Sequence, residues 1–254
     1  MPAAAVEFKS FSESVPAVLN AVGAAERIAA QKRILLKPNL VFAAPHPVTT
    51  SPDCCRAVVE YIRARCSAEI VIAEGTGDPA ETTHTVFEKL GYTKLARTHG
   101  VKLLDLNEAD CTRHENPACR RLPELYLPSL AETHWIISLP VAKAHTLSRF
   151  SGSLKNMMGL LPPAHYAGGS GIWNKAALHQ GLQEAIVDLC RYRSPDLTLM
   201  DASIGLPDQH LGGRRCDPPL GKLLAGFSAR AVDQEAARML GLDWHRIPHL
   251  RQES

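Results

Sequence analysis

Short, unbroken apolar runs separated by helix-length amphipathic stretches constrain this chain more than any other feature. "RILLKPN" (33–39), "AEIVIAEGTGD" (68–78), "GVKLLDLNE" (100–108), "THWIISLPV" (133–141), "DLTLMDASIG" (196–205) and "GKLLAGFS" (221–228) each hold a core of Leu, Ile, Val and Ala. Each is long enough for one strand and too short for a helix. A strand apolar at every position is covered on both faces, which is the habit of parallel sheets flanked by helices. The stretches between them predict helices over 14–30, 51–66, 80–92 and 175–193, and another after Ser228. The second is well punctuated: Ser51 suits the N-cap, Pro52 the first turn and Asp53 the positive end of the dipole. Gly91 closes the third. The predicted fold class is therefore α/β, with residues 1–254 as a single domain. The expected sheet is mostly parallel, Rossmann-like and open, with helices on both faces. Residues 109–132 and 144–174 break this rhythm. They are rich in Pro, Gly and Ser, and segment 144–174 is expected to form a loop-rich cap or lid over the carboxyl edge of the sheet.

Composition narrows the function classes. With 254 residues and 45% hydrophobic residues, the chain can bury one sizeable core. A net charge of +2 offers no bulk attraction to nucleic acid or a membrane surface. No aromatic stacking platforms accompany the basic residues, so a nucleic-acid partner is not expected. No apolar run approaches the length of a bilayer span. "MPAAAVEFKSFSES" lacks a basic region followed by an apolar one, so a cytoplasmic location is expected. The seven cysteines are irregularly spaced and form no C-x-x-C, which leaves the chain without an iron–sulfur or zinc-ribbon motif. They are expected to be reduced thiols. Cys54 and Cys55, in the first turn of a predicted helix, read as buried small hydrophobes rather than nucleophiles.

In parallel α/β sheets ligands bind beyond the carboxyl ends of the strands. Here five strands in succession run into polar groups: Lys37 and Asn39; Glu74, Gly75, Gly77 and Asp78; Asp105 and Asn107; Lys143 and His145; Asp201. Loops are polar anyway, which accounts for one or two of these, but five on one edge point to a crevice. Gly75 and Gly77 form G-x-G without the third glycine of the dinucleotide fingerprint. They can shape a tight turn, or expose backbone N–H groups to an anion at the following helix. Glu74 and Asp78 place two carboxylates close together, which suits a divalent metal or a general base. Thr49 and Thr50 precede a helix N-cap, and Thr50 is a further candidate anion ligand.

The segment "LPVAKAHTLSRFSGSLKNMMGLLPPAHY" (139–166) carries the most concentrated chemistry. Lys143 and His145 lie two apart in an extended segment and so point the same way. Lys155 and Asn156 follow a Gly-Ser turn. No acidic residue occurs from Thr133 to Gln183, so the local potential is positive. Three readings stay open: a solvated basic surface, lysines paired to Glu74 or Asp201, or an anion site for carboxylate or phosphate. His145 is the candidate proton carrier. His165 and His179 match no compact metal motif. Ser151 and Ser153 lack a G-x-S-x-G elbow.

These blocks, "ILLKPNLV", "TTSPDCCRAVVEYI", "GTGDPAETTHTVFEKLGY", "WIISLPVAKAHTLSRFSGSLKNMMGLLP", "DLTLMDA" and "AVDQEAARMLGLD", resemble the family called domain of unknown function 362. The Lys-x-His and Leu-Lys-Asn-x-x-Gly elements are the most specific part of the likeness. The resemblance implies a setting near ferredoxin-type iron–sulfur domains, although this chain carries no cysteine run of that kind. It implies one site made of Lys37, Asn39, Lys143, His145, Lys155, Asn156 and Asp201.

Two functional readings follow. The first is an enzyme acting on a small anionic substrate, with His145, Lys155 and Asp201 as catalytic candidates. Lys37, Asn39, Thr50, Gly75, Gly77, Lys143 and Asn156 would be ligand-binding, and Glu74 and Asp78 candidates for a divalent metal. The second is a non-catalytic accessory protein that docks a ferredoxin-type partner through the basic 143–155 loop.

Overall fold

The unbroken apolar runs become the middle of one sheet. The computed structural model describes residues 3–169 and 173–251. Its strands are β1 (Ala4–Glu7), β2 (Arg33–Pro38), β3 (Glu69–Glu74), β4 (Lys102–Asp105), β5 (Cys111–Glu115), β6 (Glu124–Pro128), β7 (Trp135–Leu139), β8 (Val141–His145), β9 (Arg149–Ser151), β10 (Leu197–Leu206) and β11 (Lys222–Gly226). The main sheet runs β1-β11-β10-β7-β2-β3-β4, with β8 and β9 continuing from β10. Strands β10, β7, β2, β3 and β4 are mutually parallel. Counted along the chain, these five lie in the order 3-2-1-4-5 from the β4 edge, so the order reverses between β2 and β7. The sheet is nevertheless mixed. β11 lies antiparallel to β10 and β1 antiparallel to β11, because β11 returns from β10 through a loop rather than a crossover helix.

Alternate residues of each central strand feed two cores. Ile34, Leu36, Ile70, Ile72, Ile137 and Leu139 pack on one face with Val58, Val59, Ile62, Val86 and Phe87. Leu35, Val71, Ala73 and Ile136 face the other way, toward Leu154, Met157, Ile186 and Leu189. This two-sided burial is what the continuous apolar runs demand.

Three local departures shape the site. The helix expected over 14–30 is two helices, Phe11–Ala21 and Ala24–Ala29. The helix expected over 175–193 is a 3-10 turn at Ala176–His179 followed by Leu182–Tyr192, broken at Gly181 with φ 70°. The strand expected over 133–141 bends at Pro140 and goes on as β8. The ten-residue β10 pairs first with β7 and then with β8, and Asp201 N–H donates to the Pro140 carbonyl at 2.9 Å. β8 thereby overshoots the sheet's carboxyl edge and carries Lys143 and His145 with it. β9 turns back onto β8.

Of segment 144–174, expected as a loop-rich cap over the carboxyl edge, residues 144–169 and 173–174 are described and 170–172 lie outside the described residues. The described part contains β9, a helical turn at Ser153–Asn156, a 3-10 turn at Met157–Leu160 and a short helix at Pro163–Tyr166. Phe150, Leu154, Met157, Leu160 and Leu161 are core residues. Segment 109–132 holds an antiparallel ribbon of β5, whose positions are mostly exposed, and β6, whose Leu125 and Leu127 alternate into the core. No helix among the described residues is long and apolar enough to cross a membrane.

Candidate active site

Four lysines converge where the strand order reverses. Lys37 lies one residue before the end of β2, Lys143 sits on β8, Lys155 on the turn after β9, and Lys175 directly follows the 144–174 segment. Lys143, Lys155 and Lys175 line a cavity of about 260 Å³, together with Asn39, Glu74, Gly75, Gly77, His145, Asn156, Trp173, His179 and His210.

Glu74 lines its floor, and Lys37 is buried against Glu74 behind it. Lys37 Nζ lies 2.6 Å from Glu74 Oε1, with side-chain exposures of 0% and 3%, so the pair is sealed from water. Glu74 also accepts from Leu40 N–H at 3.1 Å and Gly75 N–H at 2.8 Å. Asn156 crosses above, donating to the Lys37 carbonyl at 2.9 Å and Ser138 Oγ at 3.1 Å. A side chain at Gly159 would collide with Glu74 Oε1 and Lys37 Nζ, and one at Gly75 with Asn107. The backbone therefore closes on the pair only because those positions are glycine.

The remaining lysines differ in their partners. Lys143 donates to Asn39 Oδ1 at 2.5 Å and the Val48 carbonyl at 2.6 Å. Lys175 donates to the Gly75 carbonyl at 2.6 Å and the Gly159 carbonyl at 3.1 Å. Lys155 meets no hydrogen-bond acceptor among the described residues. Burial brings the Lys143 amine down to about 7, with the Lys155 cation adding to the fall. Burial likewise brings Lys175 to about 7 and Lys155 to about 8, against the pull of Glu74 in both. Burial also lowers Lys37, which Glu74 partly restores. Desolvation disfavours the charged amine, and clustered cations disfavour it further.

His145 has a fixed tautomer. The backbone N–H groups of Leu147 and Ser148 donate to its Nδ1 at 3.0 and 3.2 Å. Amide N–H groups only donate, so Nδ1 is the acceptor and Nε2 carries the proton. Burial, with Lys155 and the neighbouring His210, drives its pKa far below the usual histidine range. The His210 ring stacks on it at 3.6 Å and 15°, and burial brings His210 to about 3. His145 is thus a neutral Nε2–H donor, which makes it a polarising group in this state rather than a base.

Several sequence expectations are redrawn. Asp201 does not reach the cavity: it binds His46 Nε2 at 2.8 Å and accepts from Ser203 N–H, anchoring the 40–50 loop under the sheet edge. Thr50 accepts from Asn39 N–H and donates to the Leu139 carbonyl, tying β2 to β7. The backbone cradle expected after Gly75 is consumed internally, Gly75 N–H by Glu74 and Thr76 N–H by Thr83 Oγ1. Gly77 lines the cavity, and its N–H is bound to the Val41 carbonyl. Glu74 is saturated and Asp78 caps a turn through Ala80 N–H. Among the described residues no three His, Cys, Asp or Glu side chains gather to hold a metal ion, so Glu74 and Asp78 do not fit a divalent site. Lysines 143 and 155 pair with neither Glu74 nor Asp201; Lys37 takes that role. Cys54 and Cys55 are buried, and burial pushes the Cys55 thiol up to about 12.

Lys175 and His210 escaped sequence reading. Lys175 reads as the opening of a helix. His210 stands in the Gly-rich loop after β10, where the rule about strand ends could have found it.

No curated protein matches the chain. Among solved structures, the lactate racemase apoprotein from Thermoanaerobacterium thermosaccharolyticum has a similar fold, with a TM-score of 0.57 and 12% sequence identity over 91% of this chain. The chain spans 55% of that protein's chain, about half its length. The model of the family described as domain of unknown function (DUF362) matches residues 34–238, which include every cavity-lining residue named above, and the chain belongs to that family.

Proposed function

We propose that the protein is an enzyme that binds a small organic anion, a short-chain carboxylate, in the lysine-lined cavity. One observation carries this reading: Glu74, the only carboxylate lining the cavity among the described residues, is saturated by Lys37 and two backbone N–H groups. The other three lysines therefore lack a negative partner. An ammonium has three donors. Among the described residues Lys143 and Lys175 each use two of theirs, leaving one apiece, and all of Lys155's are unused. An incoming carboxylate would meet these donors in a desolvated site, where charge-assisted bonds are strong. His145 Nε2–H would then polarise an oxygen of the substrate. The position agrees with the rule that ligands bind at the switch point of a Rossmann-like sheet. The structurally similar protein is the apoprotein of a lactate racemase, and lactate is a short-chain carboxylate.

The docking alternative is weaker on the same geometry. Lys143 is buried and Lys155 lines the cavity, so the 143–155 segment turns its charge inward. Only Arg149 of that segment is an exposed cation.

Thermal denaturation with added lactate, pyruvate, succinate or phosphate tests the proposal. A small carboxylate should raise the melting temperature, and Lys155→Met should remove the rise. If no anion shifts the transition, the reading fails. A response to phosphate alone would replace carboxylate with phosphate as the ligand class.

A further inference from the structure

We propose that Lys155 is a nucleophilic amine that forms an imine with the carbonyl carbon of a small 2-oxo acid. This rests on the anion-binding reading above and adds a covalent step to it.

The ground is the uneven distribution of acceptors among the four lysines. Lys37 reaches Glu74, the Pro38 carbonyl at 3.2 Å and Asn156 Oδ1 at 3.5 Å, so its three donors are engaged. Lys143 and Lys175 are each held by two acceptors at 3.1 Å or less. These contacts reward the ammonium form. Lys155 has no acceptor among the described residues and lies on the cavity wall. No described residue hydrogen-bonds its nitrogen, and Glu74 acts on its proton only through space. Its depressed pKa, set by burial and by Lys37 against Glu74, agrees with that geometry. A desolvated lysine among other cations is the physical setting of an amine nucleophile. The neighbours supply the rest: the unused N–H groups of Lys143 and Lys175 suit the carboxylate, and His145 Nε2–H suits the carbonyl oxygen.

The step balances without an oxidant or reductant. The Nζ lone pair attacks the carbonyl carbon, and the π pair moves to oxygen. That oxygen takes up one of the two amine hydrogens to give a carbinolamine. The hydroxyl then leaves with the second amine hydrogen as water, and the nitrogen–carbon double bond forms. Imine formation draws electrons from the bonds beside the former carbonyl carbon, so the class of reaction is one that begins with loss of a proton from the adjacent carbon or of a group attached next to the imine.

The test uses the full-length protein incubated with pyruvate, 2-oxobutyrate, 2-oxoglutarate or oxaloacetate and reduced with borohydride. Intact-mass and peptide analysis should find a single secondary-amine adduct per chain, on the peptide containing Lys155. Lys155→Arg should lose it completely. Peptide mapping of the wild-type protein locates the adduct even if the variant misfolds. Lactate, which has no ketone, should stabilise thermally and give no adduct. Absence of any adduct with all four acids, or labelling elsewhere that persists in Lys155→Arg, overturns the proposal. Stabilisation by lactate and pyruvate without an adduct overturns only the imine. No stabilisation and no adduct overturns the anion-binding reading as well.

Discussion

Replacing Lys37 by Met removes the cation sealed behind the cavity floor and leaves Glu74 where it is. The Lys37 ammonium contacts Glu74 at 2.6 Å with both side chains almost wholly out of water. Without it, the carboxylate retains only the Leu40 and Gly75 N–H groups. Breaking one partner of a buried pair typically costs about 3–5 kcal/mol, because the surviving charge stays desolvated. At about 2–4 °C per kcal/mol for a chain of this size, the melting temperature should fall by about 6–20 °C. The double variant Lys37→Met, Glu74→Gln carries no charge at the site and should recover part of that loss. Urea denaturation of the wild type, both single variants and the double variant gives the coupling energy directly. A loss under about 1 kcal/mol for Lys37→Met, the range of exposed pairs, would refute the sealed-floor argument. So would strict additivity of the two substitutions. Either outcome would return Lys37 to the list of ligand-binding candidates.

Lys155→Met, by contrast, should leave the melting temperature of the unliganded protein within a few degrees, since the amine has no hydrogen-bond partner among the described residues to lose; a large fall in a calorimetric scan would make Lys155 structural. Gly159→Ala should destabilise by about 1–3 kcal/mol through overpacking against the Lys37–Glu74 pair, read by urea midpoint. Unliganded stability should rise between pH 7 and 8. Lys143, Lys155 and Lys175 titrate near 7 to 8 when folded against 10.5 when free, so over this interval the unfolded chain binds more protons than the folded one. The effect is at most roughly 1.4 kcal/mol per pH unit for each lysine, a bound carboxylate should flatten the slope, and a flat profile without ligand would refute the depressed amines. Cys54, Cys55, Cys119 and Cys190 are buried and should resist a thiol reagent until the protein unfolds, whereas Cys66, Cys111 and Cys216 should react sooner; rapid native labelling of the first four would contradict their placement.

The sequence by itself determined the parallel centre of the sheet and the edge that carries the polar groups. Continuous apolar runs can be buried only between two layers, and ionisable residues at their ends have nowhere to go but the rim. It also determined that Lys143 and His145 share a side, because extended backbone alternates. It did not determine which lysine meets Glu74. That choice depends on Lys37 and Glu74 lying at or beside the ends of neighbouring parallel strands, β2 and β3, and on a glycine 85 positions beyond Glu74 closing over them. Nor could it tell that Asp201 and Thr50 are fasteners, since a strand-end carboxylate or hydroxyl looks the same whether it faces a cavity or a loop. That residues 150–161 enter the core was hidden by the Gly, Pro and Ser content around them, although Phe150, Leu154 and Met157 carry the apolar area that draws them in. Lys175 and His210 reach the cavity from distant parts of the chain. Only tertiary packing could bring those charges together, because spacing along a chain encodes neighbours within one element and not the meeting of elements far apart.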